Sequence, residues 1–312
     1  RLKAIDYYLG EPFGNEVEGR SSVVTTDFAD AVEQIMPSLM RIFTSSDKYV
    51  RYAPRTADDV EKAEQLTDYV NYIINNDNDG YRIMYNWFKD SLMFKLGVVK
   101  FSWDETSTVQ EEEYEGLTEE EIALLLSNPD IEVVGREENY VATMTEFGEE
   151  IQIVDNYDLK VKITKKSGKI KIDNVPPEEF LFNRRAKSLE DCYFICHRTT
   201  MSVSDLVSMG YDRKLIEDHA GKIDSEVDEE RQKRFEDLES QSGRDPADPS
   251  QKDVIVHDII MKVDYDDDGV AEMRRILAIG DTGSEILEND ICDYIPFAVI
   301  SPILMPHRLV GR

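Results

Sequence analysis

Tyr7-Tyr8-Leu9-Gly10-Glu11-Pro12-Phe13-Gly14-Asn15-Glu16-Val17-Glu18-Gly19-Arg20-Ser21-Ser22-Val23-Val24 runs into Asp27-Phe28-Ala29-Asp30-Ala31-Val32-Glu33-Gln34-Ile35-Met36-Pro37-Ser38-Leu39-Met40-Arg41-Ile42-Phe43. In the first stretch Gly10, Pro12, Gly14 and Gly19 break any helix, so residues 1–24 read as an extended arm. The second stretch reads as a helix. Asp27 is its expected N-cap, acids follow at Asp30 and Glu33, and Phe28, Ala31, Val32, Ile35, Leu39, Ile42 and Phe43 recur at helical spacing. Pro37 is expected to kink it.

Two further helices follow. One starts near Thr56 or Asp58 and turns Val60, Ala63, Leu66, Tyr69, Val70, Ile73 and Ile74 to one side. The Asn-Asp-rich run 75–80 ends it. The next, from Tyr81 to Leu96, is apolar nearly all round and reads as the buried helix of its domain. From about residue 105 the pattern turns to strands. Leu117-Thr118-Glu119-Glu120-Glu121-Ile122 carries a capping-box signature for a short helix. Strands are expected at 131–136, 139–146, 150–154, 158–164 and 169–173, with a turn at Lys165-Lys166-Ser167-Gly168 joining the last two. Residues 200–210 read as a short helix ending on Gly210.

The fold class is thus α+β, with an N-terminal helical part and an antiparallel β-rich part. Expected divisions are an arm at 1–24, a helical subdomain at 25–104, a mixed β/α subdomain at 105–221, a polar insertion at 222–252 and a β-rich segment at 253–312. The second half of the insertion has the composition of a disordered segment.

The charge sets this chain apart from an ordinary globular composition. It has 36 Lys+Arg against 65 Asp+Glu, a net charge of −29 over 312 residues. Such a surface repels phosphates and argues against a basic-patch DNA binder, though an acidic wall suits a conduit along which DNA must slide. Three cysteines, Cys192, Cys196 and Cys292, are too few and too odd for a disulfide framework, and the first two read as buried thiols. There is no apolar run near 18 residues, hence no membrane span, and no signal peptide. The chain opens on Arg1 rather than Met, which reads as a fragment.

Three phrases carry a resemblance. The opening stretch fits "YY.G.P..NE..GRS.VV" followed by "D.VE...P.L.R.F". Val175-Pro176-Pro177-Glu178-Glu179-Phe180-Leu181, followed by Ala186, Asp191, Phe194, His197 and Met201, fits "V.PEEFL" with "A.....D..F..H...M". Pro296-Phe297-Ala298-Val299-Ile300-Ser301-Pro302-Ile303-Leu304-Met305-Pro306-His307-Arg308-Leu309-Val310-Gly311 fits "PF.V..P.P.PH...G", with Leu304 where the pattern has a proline. In order and spacing this resembles the portal (head-to-tail connector) proteins of tailed bacteriophages, especially the short-tailed kind. The resemblance touches residues 7–43, 176–201 and 254–311.

That resemblance implies a structural protein with no catalytic residue, no cofactor and no small-molecule substrate. It implies a homo-oligomeric ring, commonly a dodecamer, at one capsid vertex of the virion, assembled in the host cytoplasm. Its partners would be terminase, tail adaptor and capsid or scaffold proteins, with transient contact to double-stranded DNA as the genome is packaged and ejected. The chain would cover a wing-like region, with stem and clip outside it. Tyr7, Tyr8, Phe13 and Arg20 are the candidate subunit-interface residues. Tyr7 and Tyr8 could equally pack on their own domain.

The one chemical-looking constellation is Asp264-Tyr265-Asp266-Asp267-Asp268-Gly269-Val270-Ala271-Glu272. It matches the first part of an EF-hand loop, but position 12 is Arg275 and the flanks are β, so an EF-hand is rejected. A hairpin tip is the plainer reading. Asp264, Asp266, Asp268 and Glu272 remain candidate metal ligands, and with them stands the alternative of a metal-dependent hydrolase or nuclease. A third class, an acidic mimic of DNA, follows from charge alone.

Overall fold

A computed structural model describes residues 1–12, 14, 19, 23–144, 150–221, 234 and 248–311. The chain divides into two compact units, Arg1–Ser102 with Ile172–Arg312, and Trp103–Lys171.

In the first unit, α1 (Leu2–Leu9), α2 (Asp27–Phe43), α3 (Val60–Tyr72) and α4 (Gly80–Phe94) precede the strands. The expected extended arm is helical over Leu2–Leu9. Leu2, Ile5 and Leu9 recur at helical spacing, Ile5 is buried, and the breaker Gly10 serves instead as a left-handed C-cap at φ 73°. Helix α2 runs through Pro37 without interruption, and its N-cap is Thr26 rather than Asp27. Its buried line is Val32, Met36 and Met40, packed against Phe88 of α4, while Ile35, Ile42 and Phe43 are exposed. Methionine fills the irregular gap between the helices, so the buried line is set by tertiary packing and not by the most hydrophobic stripe.

Helix α3 also departs from expectation. It buries Ala63, Thr67 and Asn71 and leaves Val60, Leu66 and Tyr69 exposed. Its polar side holds an extended segment. Asn71 Oδ1 accepts from the Tyr49 and Val50 N–H groups at 2.6 and 3.2 Å, Asn71 Nδ2 donates to the Val50 carbonyl at 2.8 Å, and Thr67 Oγ1 accepts from Tyr52 N–H at 3.0 Å. Backbone groups that no sheet pairs find partners in side chains or water, and here these residues supply them. A π-helical turn, Ile73–Asp77, follows. Asp79 caps α4 through the Arg82 N–H, and Lys95 closes it at φ 68°. Gly97 starts the next strand because a Cβ there would lie 2.3 Å from the Trp87 carbonyl oxygen.

Strand β1 (Gly97–Leu117) begins in the first unit, where Gly97–Lys100 pair antiparallel with β9 (Phe297–Ile300). The other strands of this unit form a five-stranded antiparallel meander, β4 (Phe180–Phe182), β5 (Phe194–Ser202), β6 (Asp253–Val263), β7 (Glu272–Ile279) and β8 (Glu285–Ile291), in that order. Helices α6 (Val203–Ser208) and α7 (Arg213–His219) follow β5 and share a core with it around Leu206, Ile216, Val254 and Ile279. A second core gathers Leu96, Val98, Val175, Phe180, Ala186, Cys192, Ile195, Ile260 and Phe297.

The second unit holds the outer part of β1, α5 (Glu119–Leu126), β2 (Ile131–Met144) and most of β3 (Glu150–Val175), with strand order β2-β3-β1. The Thr118–Glu121 capping box forms as the sequence predicts. Strands β2 and β3 pair antiparallel from Ile131↔Ile163 to Met144↔Glu150, so the short strands expected here are two long ones. The expected turn at 165–168 is continuous strand. Gly168 is there for another reason. The Trp103 indole lies against its backbone, and a Cβ at 168 would come 2.0 Å from the ring. A separate core of Ile122, Leu159 and Val161 holds this unit. The chain passes between the units twice, at Ser102–Trp103 within β1 and at Lys171–Ile172 within β3.

The expected insertion at 222–252 lies largely outside the described residues. Within it Arg234 is placed, and Pro249–Gln251 form a short 3₁₀ turn.

Candidate functional site

The second and third phrases that carry the portal resemblance share one core. Phe180 and Ala186 sit in the same core as Phe297, whose ring lies 5.3 Å from that of Phe180. The "PF.V" phrase is β9 itself, and the Leu309 N–H returns to donate to the Ala186 carbonyl at 3.1 Å. Asp191 Oδ2 accepts from the Lys187 N–H at 3.2 Å and closes the turn before β5.

The two acids of Pro176-Pro177-Glu178-Glu179 each take a different partner. Glu178, buried, receives Arg234 as a fork, Nε to Oε1 at 2.8 Å and Nη2 to Oε2 at 2.9 Å. The same guanidinium reaches Asp90 Oδ1 at 2.9 Å and lies 4.9 Å over the Phe94 ring. Burial raises the Asp90 carboxyl above its ordinary value despite the Arg234 charge beside it, and the Glu178 charge adds to the rise. Glu179 Oε2 lies 3.3 Å from His197 Nε2.

A second charged cluster links β1 to the meander. Asp258 on β6 is buried, yet it accepts from Lys100 Nζ at 2.6 Å and from Arg275 Nε and Nη2 at 2.8 and 3.0 Å. Burial alone would raise its carboxyl. The Arg275 hydrogen bonds and the Lys100 charge outweigh that and hold it below the ordinary range. His197 Nδ1 stands 3.4 Å from Lys100 Nζ. Sequence reading had assigned none of these partners, because Lys100, His197, Asp258 and Arg275 are far apart in the chain and meet only through strand register.

Cys196 and His257 come together as a thiol–imidazole pair, Sγ to Nδ1 at 3.8 Å. Nothing can reach them, because both are buried. Burial pushes the Cys196 thiol up to about 12 and lowers His257, whose Nε2 is 2.9 Å from the Gly280 carbonyl oxygen. A thiol that stays protonated is no nucleophile. Cys192 is likewise buried and pushed up to about 11, chiefly by desolvation. Both match the expectation of buried thiols.

The acidic loop is the tip of the β6–β7 hairpin, closed by the Val263↔Glu272 pair. Asp264, Asp266 and Asp268 can place one oxygen each within 4.8 Å of one another, and among the described residues no other group of three such ligands converges. Two of the three carboxylates already serve the turn. Asp264 accepts from the Asp268 and Gly269 N–H groups at 3.1 and 2.8 Å, and Asp268 accepts from Val270 N–H at 2.7 Å. Asp267 and Gly269 supply the positive φ values, 60° and 88°. Glu272, the fourth candidate ligand, is not part of this group, and its carboxylate pairs with Arg274 Nη1 at 3.1 Å.

Of the four candidate interface residues, Phe13 and Arg20 lie outside the described residues. Tyr8 packs on its own unit. Its ring meets Phe28 edge-on at 6.5 Å, its hydroxyl donates to Glu33, and Lys89 Nζ sits 5.2 Å over its face. Burial would lower the Lys89 amine, but hydrogen bonds to Tyr8 and Glu33 outweigh it and raise the group. Tyr7 is exposed.

No described helix is long and apolar enough to cross a membrane. No curated protein matches the chain. The family model described as phage SU10 portal protein matches residues 1–312. The α+β fold and that match over the whole chain agree, and the chain belongs to the phage SU10 portal protein family.

Proposed function

We propose that this chain is the subunit of a homo-oligomeric ring, most simply a dodecamer, at one vertex of the capsid. Double-stranded DNA is packaged and ejected through that ring, and terminase and tail components attach to it. The observation that carries this reading is the family match across residues 1–312, on which a portal role rests. Portal proteins are structural and assemble as rings with capsid and tail components, so no catalytic constellation is required. The acidity of the chain supports the DNA part of the reading, because a wall of carboxylates does not grip phosphate. Within the ring, Tyr7, Phe13 and Arg20 of the arm remain the residues proposed to reach a neighbour, while Tyr8 anchors the arm to its own helices. Imaging of the full-length protein along its symmetry axis tests the proposal. The expected result is a closed ring with an axial channel wide enough for a duplex, and a monodisperse monomer at micromolar concentration would sink it.

A further inference from the structure

Helix α3 is amphipathic the wrong way round for a free surface. Its inward side is Ala63, Thr67 and Asn71, spent on holding residues 49–52. Its outward side shows Leu66, Tyr69 and Tyr72 at 48, 62 and 54% exposure. At about 100° per residue these three share one arc of roughly 120° with Lys62 and Gln65. A surface helix ordinarily turns its apolar stripe to the core and its polar residues to water. Covering aromatic side chains removes about 150–250 Å² each. The stripe therefore offers a few hundred Å², on the order of half the ~800 Å² that one partner gives to a stable interface. A patch of that extent is about the largest a typical monomer exposes, and such patches are often functional.

Charge indicates what covers it. The acids of α3, Glu61, Glu64 and Asp68, fall outside the arc on one flank, and Asp68 is paired with Lys48 at 2.5 Å. Within the arc the single charge is Lys62. Another copy of this chain also carries −29, so two copies repel wherever carboxylates face each other. An acid-free apolar stripe is a surface on which two such copies can close. A basic partner would instead be met by carboxylates. We propose that the Leu66–Tyr69–Tyr72 stripe of α3 packs against the adjacent copy in the ring. This rests on the portal reading and names one surface by which the ring closes.

The test uses the full-length protein. A Tyr69→Ser, Tyr72→Ser double variant should keep the parent's circular dichroism, and its melting temperature below the assembly concentration, since both residues are exposed on the subunit. Its half-assembly concentration in sedimentation velocity should rise on the order of a hundredfold, as for two lost aromatic hot spots. Independently, a photo-crosslinking amino acid in place of Leu66, with both tyrosines intact, should give covalent dimers within assembled rings. Assembly at the parent's concentration, or a cross-linker that yields monomer alone, overturns the inference and leaves the portal reading standing. A parent that forms no ring overturns both.

Discussion

Arg234 is the residue on which most local charge depends. It pairs with Glu178 and Asp90 together, and both carboxylates are largely shielded from water. Arg234→Met keeps the apolar stem over Phe94 and removes the cation. Breaking one side of a buried pair costs about 3–5 kcal/mol, and chemical denaturation at pH 7 should show a loss of that size. The sign with pH follows. Burial already raises the Asp90 carboxyl, and without the Arg234 charge nothing opposes that rise, so the deficit is full at neutral pH and shrinks as acid protonates Asp90. A deficit unchanged from pH 7 to pH 4 would refute the assignment.

His257 and Asp258, adjacent on β6, shift in the same direction for different reasons. His257 is lowered from 6.5 chiefly by burial, so the fold favours its neutral form, and its contribution is full above 6.5 and is lost as pH falls below that value. Asp258 is lowered from 3.8 by Arg275 and Lys100 against its burial, so its contribution is full above 3.8 and is lost in stronger acid. The melting temperature should therefore descend in two stages on acidification. His257→Gln should remove the first stage, and a variant that keeps the parent's slope between pH 6.5 and 5 would show that another group titrates there.

Among the elements, the β6–β7 hairpin gives the clearest test. Two of its three aspartates, Asp264 and Asp268, already accept turn N–H groups, and its glutamate is paired with Arg274. Neither the parent nor an Asp266→Ala, Asp268→Ala variant should change melting temperature with Ca²⁺ or chelator. A calcium-dependent rise in the parent, absent from the variant, would make the tip a metal site.

Elements were legible in the sequence where local chemistry decides them. The Thr118–Glu121 cap and the Asp264–Gly269 turn lie where their residues indicate. Reading failed where a distant partner decides. Met36 and Met40 were passed over for Ile35 and Ile42 because only the presence of Phe88 shows which face of α2 is covered. Lys165–Gly168 looks like a turn in isolation, and only the Trp103 ring explains the glycine as a strand residue. Leu2–Leu9 were swept into an extended arm by breakers that in fact begin at their C-cap. The Lys100–Asp258–Arg275 cluster left no local signal, since three separate strands bring it together.

At the scale of the whole molecule, charge governs association. Copies carrying −29 each repel across a Debye length of about 8 Å at physiological ionic strength, and salt or divalent cations shorten that reach. Assembly should rise from low to moderate salt in sedimentation velocity, opposite to the salt response of phosphate binding. Rings that fall apart as salt rises would show that ion pairs between subunits dominate.

The way the backbone enters and leaves Trp103–Lys171 has a consequence for lineage. Departure and return are both made inside strands, β1 and β3, that lie side by side in the sheet order, and the excursion carries its own apolar centre around Ile122, Leu159 and Val161. Such an excursion behaves as a cassette. It can be lengthened, trimmed to a bare hairpin or exchanged, because the entropy of a longer loop grows only with the logarithm of its length. Length variation among relatives should therefore be tolerated between residues 103 and 171, while the spacings from Phe180 to Ile195 and from Ile260 to Phe297 stay under the tighter control of a shared core.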